Sequence, residues 1–496
     1  MKNQVVSDVE SKIYKIILVC IIASSVVARF YQYIFHKDLW LDEAMLTFSI
    51  TNISLWDMLS KPLPSLQSAP LGFLLWTRLL YEFFGAGEYV LYFLPFVCSL
   101  GTIFVAYKIS QTLRDTFSQT LFMLLVCGSL GLLYYATEFK QYGVEAFCGF
   151  LLLYLYIKRM PLSKFLLISG VSVLFSHTII FIAIACIIGY TWQSKHNLKA
   201  FLKQNTLPIL ALGVFFVAYY FLYLKHQAGE GFYNYWSKFF LPHNPLEYPA
   251  YIKDTLLDIY LGFTPFARGF VVPFYIALSF LGLVALYKIR RDLFIVTISA
   301  LGIYVGLSLL RIYPFGHDGI VGGRLSLYMS SIFFLLCSLG GGAIYTRYKN
   351  IRIFRILSML CLIVIFTLPA FYRHAKVVIA NTHYSQQTHA FITQIATNLS
   401  SQDCAYIYKA SEKALSYYAK LDNLAFPYIV FDADLASLRQ ALTENNCQNV
   451  WILASHFPKD PWVSDLETLV YEIDQNAIIY TNTGSMLIRL SHRQGS

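Results

Sequence analysis

Apolar stretches long enough to cross a bilayer recur from Ile16 to about Phe371 and then stop. Nothing else in the chain restricts its fold as strongly. Backbone polar groups inside hydrocarbon must be satisfied within the protein, and apolar runs of about 20 residues do this as helices. Spans are expected near 16–35, 90–110, 117–136, 142–157, 205–224, 269–287, 293–310, 325–345 and 353–371. Composition agrees: 57% of the 496 residues are hydrophobic and 13% charged. A soluble globular chain has about 45–50% and 25%. Ordinary cytosolic enzymes, coiled coils and disordered chains are excluded.

Two regions are ambiguous by length. Leu71–Phe84 is apolar but too short to cross, and it carries Arg78 and Glu82. Phe165–Trp192 reads either as one long span or as two short ones hinged at Ser176-His177. Charge decides both, because Lys and Arg concentrate in cytoplasmic loops. With 71–84 on the membrane surface and 165–192 crossing twice, one side receives clusters such as Lys12/Lys15, Lys158/Arg159, Lys195/Lys199/Lys203, Lys288/Arg290/Arg291 and Arg347/Lys349/Arg352/Arg355. The other side receives nearly all the acids, among them Asp38, Asp42, Glu43, Glu82, Glu88, Glu138, Glu145, Asp254 and Asp258. The net charge of +10 is thus mostly topology, and no nucleic-acid partner is implied. The expected fold is a polytopic α-helical membrane protein of about eleven transmembrane helices, with a cytoplasmic N-terminus and an extracytoplasmic C-terminal domain. The first apolar run is too long for a cleavable signal peptide and no small-residue cleavage site follows it, so it reads as a retained anchor.

The transmembrane domain is expected over 1–372, with outer loops at 36–89, 225–268 and 312–324. Residues 373–496 have soluble composition and read as a small α/β domain. Helices are expected at 386–399, 411–420 and 433–444, and strands at Ala405–Tyr408, Val450–Leu453, Ala477–Tyr480 and Ser485–Leu490. Their alternation favours a mostly parallel sheet. This domain holds no phosphate loop, paired metal ligands or nucleophile elbow, which leaves it a docking or acceptor-recognition role. Cys404 and Cys447 precede its two clearest strands; free buried thiols are the default reading, and in an oxidising compartment the two could pair. The other cysteines lie in spans as small apolar fillers.

The candidate chemistry gathers at the outer interface. Asp42 and Glu43 follow the first span. They fit a helix start, with Asp42 as N-cap and Glu43 in the first turn, and equally a carboxylate acting as general base. Glu138-Phe139-Lys140-Gln141-Tyr142 follows the third span, with Glu145 entering the fourth. Two acids and a Lys at a span entrance read as a polar site more readily than as a solvated turn. Arg324 follows the glycine-rich stretch Gly316–Gly323 and lies on the acid-rich side. A snorkelling Arg is the plain reading; a guanidinium gripping a lipid phosphate at two points is the functional one. His177, at the proposed hinge, faces the same side and is more often structural. His243, His317 and the acids are the groups a divalent metal ion would use, although no ligand spacing marks such a site. No other cofactor is expected.

Carboxylates beside cations at headgroup depth suit transfer of a group from a lipid phosphate to an acceptor in the aqueous compartment. The residues also resemble the GT-C superfamily of polyprenyl-phosphate-sugar-dependent glycosyltransferases, in the family-39-like branch that holds protein O-mannosyltransferases and the lipid A aminoarabinose transferase. The resemblance rests on Asp42-Glu43, on Gln67-Ser68-Ala69-Pro70-Leu71-Gly72-Phe73 opening a helix that ends at Phe84-Gly85, on the stretch Tyr134 to Tyr142, and on the approach from Tyr313-Pro314-Phe315 to Arg324. It implies a lipid-linked sugar donor, inversion at the anomeric carbon and a base from the first outer loop. Carried over, the base is Asp42 with Glu43 beside it. Glu138 or Glu145 is the second acid, orienting the acceptor or a metal, and Lys140 and Arg324 neutralise the donor phosphate. Tyr142, Glu145 and His177 are the acceptor- or substrate-orienting candidates. An inner-membrane, periplasm-facing enzyme of cell-envelope glycan synthesis follows, its acceptor a lipid, a glycan or a protein. The aminoarabinose enzymes carry an acid and a Lys just before the juxtamembrane Pro, where this chain has Ser68-Ala69. That Lys has no counterpart here. A lipid-linked saccharide transporter or flippase is the alternative. It would place ionisable groups deep in several spans and usually show a two-fold repeat; the acids here sit at one face and no repeat is visible. A membrane-anchored sensor would leave the many spans unexplained.

Overall fold

The computed structural model describes residues 2–227, 234–266, 268–315, 323–380, 386–457 and 461–491. Each interval expected to span holds a helix, and the chain is a polytopic helical membrane protein. Among the described residues, seven helices are long and apolar enough to cross: Glu10–Ile34, Glu88–Ser110, Lys195–Gln227, Gly269–Ile289, Arg291–Leu309, Arg324–Tyr348 and Arg352–Ala380. Thr116–Gly128 and Leu130–Thr137 add an eighth if read as one span bent by 50°. The remaining intervals hold shorter apolar helices, Tyr142–Ile157, Leu162–Phe175 and Ile179–Gln193. Eleven crossings therefore require each of these three to cross.

Both ambiguous regions have a local cause. The long 165–192 stretch is broken at Ser176–Thr178, where the Ser176 and Thr178 hydroxyls lie 3.2 Å apart beside freed backbone groups. Leu71–Phe84 is a separate helix. It starts behind Pro70 and stops at Gly85, whose φ of +86° suits glycine. Phe73, Leu74 and Thr77 face the protein, while Trp76, Leu79, Phe83 and Phe84 are exposed. An interfacial helix shows this division. Small residues let the spans approach closely: Gly282 meets the Leu336 carbonyl and Gly340 the Leu278 carbonyl.

The helix of the last span continues to Ala380, past the expected domain boundary at 372. Beyond it, five strands form a sheet in the order β2 (Ile429–Phe431), β1 (Cys404–Tyr408), β3 (Asn449–Ser455), β5 (Ser485–Ser491), β4 (Ile478–Asn482). The sheet is mixed rather than mostly parallel. β1 runs parallel to β2 and β3, but β5 is antiparallel to both β3 and β4. Only Thr483-Gly484 separates β4 from β5, and a two-residue connection permits only a hairpin. β2 and the helix Trp462–Ile473 were not anticipated. Cys404 and Cys447 form a disulfide.

This domain is docked on the start of the first outer loop. The Leu39 amide donates to the Tyr418 hydroxyl at 2.7 Å, and Asp38 accepts from the amides of Thr388 and His389 at 2.6 and 2.7 Å. These bonds hold the domain against residues 38–39, just before Asp42 in the chain.

Candidate active site

The helix Leu41–Asn52 begins at Trp40, not at Asp42. Glu43 in its first turn reaches back, accepting from the Trp40 amide at 3.1 Å, and its other oxygen accepts from the Phe139 amide at 2.7 Å. The first outer loop is thereby tied to the stretch after the third span. Lys37 completes the joint. Its ammonium lies 3.4 Å from Glu43 and bonds Glu138, which also accepts from the Trp40 indole. Glu43 and Glu138 are fully buried. Burial raises both carboxyls; for Glu43 the neighbouring Glu138 adds to this, and Lys37 opposes it in both. Burial alone would lower the Lys37 ammonium, but Glu138 and then Glu43 hold it above its ordinary value.

Asp42, the adjacent residue, points elsewhere. It keeps 29% of its side chain exposed, and Oδ2 lies 3.5 Å from the Arg324 guanidinium. Burial would raise its carboxyl. Lys140, then Arg324 and His456, outweigh that and hold it below its ordinary value. Lys140 is buried and donates to the Gln67 side chain, and burial lowers its ammonium against the pull of Asp42. Arg324 is held between the rings of Tyr142 and Trp236, 5.6 and 5.7 Å from its guanidinium carbon. Its backbone is fixed by Gly323, with φ of +73° and an amide donating to Asp258 at 3.0 Å.

The three distant stretches expected to form one site therefore meet. Asp42, Lys140, Arg324 and Tyr142 come together, with Glu43 and Glu138 packed beneath them around Lys37. Glu145 is buried in the first turn of Tyr142–Ile157, with one carboxylate oxygen unpartnered. His177 bonds the Tyr219 hydroxyl at 3.0 Å, and that hydroxyl accepts from the Leu71 amide at 3.2 Å. His177 thus braces the juxtamembrane turn. Among the described residues, no group of three or more His, Cys, Asp or Glu is placed to hold a metal. His317, with the rest of 316–322, lies outside them, as do 228–233 and 267 of the second loop.

No family model matches the sequence, and no curated protein matches it. Solved structures do. ArnT from Cupriavidus metallidurans bound to undecaprenyl phosphate superposes with a TM-score of 0.56 at 13% identity, covering 95% of this chain and 97% of that one. Its apo state gives 0.52 at 12% identity with the same coverage. The chain has the GT-C fold. An Archaeoglobus fulgidus oligosaccharyltransferase tethered with an acceptor peptide aligns at 0.49 and 11% identity, over 95% of this chain and 73% of that one.

Within this fold, residues beside the site that were not anticipated include Lys37 and His456. Lys37 had a signal: a Lys directly after the first span, on the acid-rich side where the charge bias disfavours one. His456 had none. It belongs to the C-terminal domain, follows β3 with φ of +53°, and places its ring 6.0 Å from that of Trp40. A non-glycine residue in the left-handed region is strained, and such strain clusters at functional sites.

Proposed function

We propose that the chain is an inverting glycosyltransferase that moves a sugar from a polyprenyl-phosphate donor to an extracytoplasmic acceptor, with Asp42 as general base. One observation carries this reading: a partly exposed carboxylate kept ionised beside Lys140 and Arg324. An acceptor O–H or N–H gives its proton to Asp42 as its heavy atom attacks the anomeric carbon from the face opposite the phosphate. The bond from that carbon to the phosphate oxygen breaks, and the charge left on the phosphate is met by Lys140 and Arg324. A positioned base contributes about 10²–10⁴ in rate. Fixed cations act where the charge develops.

An apolar groove supports a lipid donor. It has a volume of about 430 Å³ and lies between Leu162–Phe175 and Leu198–Tyr219, lined by Leu166, Gly170, Leu174, Leu212 and Phe215. Its Leu174 end packs on Gly72 of the juxtamembrane helix. At the start of that helix, Ala69 and Leu71 are held by Tyr223 and Tyr219, and Gln67 takes the Lys140 ammonium. A lipid tail in the groove directs its phosphate toward Lys140. Undecaprenyl phosphate, the ligand of the ArnT complex, belongs to this chemical class. Glu43 and Glu138 act in this reading as positioning residues, and Glu145, with its unpartnered oxygen, is the acceptor-side candidate. Extracytoplasmic placement of the C-terminal domain fits both the charge bias and the Cys404–Cys447 disulfide.

The purified chain should convert a labelled polyprenyl-phosphate sugar to free polyprenyl phosphate and a glycoside of inverted configuration when acceptor is present. Movement of the intact donor between the leaflets of proteoliposomes, without loss of the sugar, would instead establish the transporter alternative.

A further inference from the structure

A second pocket, of about 590 Å³, opens between the end of the first helix, the bend at 130–134, the loop around Pro265 and the helix of the last span. Its depth follows from its walls. Gln32 lies in the last turn of Lys2–Ile34, and Arg373 and Lys376 lie near the end of Leu368–Ala380. Both helices belong to candidate spans and end on the side of the C-terminal domain. The pocket is therefore at headgroup level.

Arg268, Arg373 and Lys376 line this pocket. The charge bias disfavours cations on this side, and none of the three forms an ion pair among the described residues. Arg373 is built in. One terminal nitrogen donates to the carbonyls of Gly128 and Thr264 at 3.2 and 3.0 Å, which fixes the guanidinium while its other N–H groups have no acceptor among the described residues. Gln32 is 2% exposed, lines the pocket, and has a side-chain oxygen without a partner. The remaining lining is apolar, including Leu133, Phe266 and Pro369.

We propose that this pocket binds one anionic phospholipid of the outer leaflet. Its phosphate meets Arg268, Arg373 and Lys376, Gln32 contacts the polar headgroup, and the upper acyl segments lie on the apolar wall. A soluble phosphate would use the cations but gain nothing from that wall. The site is separate from the groove assigned above to the donor, and it does not rest on the glycosyl-transfer reading. Tyr134 connects it to the catalytic face, because it lines this pocket and lies under the Lys37 ammonium at 5.1 Å. Lipid occupancy therefore braces the Gly128–Tyr134 bend.

The test is native mass spectrometry of the full chain released from nanodiscs of phosphatidylcholine containing phosphatidylglycerol. One retained phosphatidylglycerol is expected. Arg268→Gln with Lys376→Gln should weaken its retention about thirtyfold, and Lys376→Gln alone about fivefold. Lys195→Gln with Lys199→Gln, at the opposite end of the spans, should leave it unchanged. Equal retention by the parent and the pocket variants, or equal loss in the Lys195/Lys199 control, overturns the proposal. So does displacement of the lipid by millimolar inorganic phosphate, which would make this a site for free anions.

Discussion

Asp42 and Glu43 are chemically alike and adjacent in sequence, yet their surroundings are opposite. Consecutive helix positions face about 100° apart, so Glu43 turns inward to Lys37, Glu138 and the Phe139 amide, while Asp42 turns to the open side near Lys140 and Arg324. The inner group joins three segments and has no exposed oxygen. The outer one is held charged and partly exposed. A pair of acids can thus divide its labour: one carboxylate fixes the backbone so that the other is aimed. Burial separates the two roles, and residue type does not.

The largest effect expected from breaking this contrast is on the inner side. Lys37→Met leaves two buried carboxyls without their cation and should destabilise the protein by about 3–5 kcal/mol, read by denaturation in detergent. A loss below about 1 kcal/mol, the scale of an exposed pair, would place Lys37 among surface charges. On the outer side, Arg324→Lys keeps the charge but loses the guanidinium that lies over the Tyr142 and Trp236 rings. It should lower kcat/KM for donor about 10–100-fold, the range of a lost charge-assisted hydrogen bond. An unchanged value would remove Arg324 from the phosphate site.

The two acids also differ in the sign of their pH response. The inner carboxyls are raised, so they contribute stability at low pH that is lost as pH climbs from the ordinary carboxylate value of about 4.3 through their folded-state values. Asp42 is lowered. Its contribution is present above about 3.9 and is lost as pH falls through its lower folded-state value. Glu43→Gln should therefore flatten the decline of Tm with rising pH while leaving the acid side alone, an effect of about 1–2 kcal/mol. An unchanged slope would mean Glu43 is not the group titrating. The smallest effect belongs to His456→Ala, which removes the domain's ring beside Trp40. A loss of about threefold in kcat with stability intact is expected, on the scale of one weak contact. A fall in Tm with kcat unchanged would make His456 purely structural.

Sequence revealed most of the membrane part because its rules are strict there. Apolar length located the helices, and the break within 165–192 and the separate helix at 71–84 fall where the sequence puts them. Asp42, Lys140 and Arg324 were legible as a set because all three depart from their local background at one face. What was lost depended on contacts no pattern encodes. Trp40, not Asp42, opens the helix because Glu43 reaches back to the Trp40 amide, and its other oxygen is held by the Phe139 amide, 96 residues away. His456 reaches the site only because Asp38 and Leu39 dock the domain. β2 has three residues, too few for an alternation to register.

The central claim is that Asp42 is the base and is not part of the scaffold. Its most direct test is Asp42→Asn, with turnover of polyprenyl-phosphate sugar and donor affinity measured on the same preparation. Turnover should fall about 10²–10⁴-fold with donor affinity within a few-fold of the parent and Tm unchanged. Turnover equal to the parent, or loss of donor binding together with Tm, would contradict it.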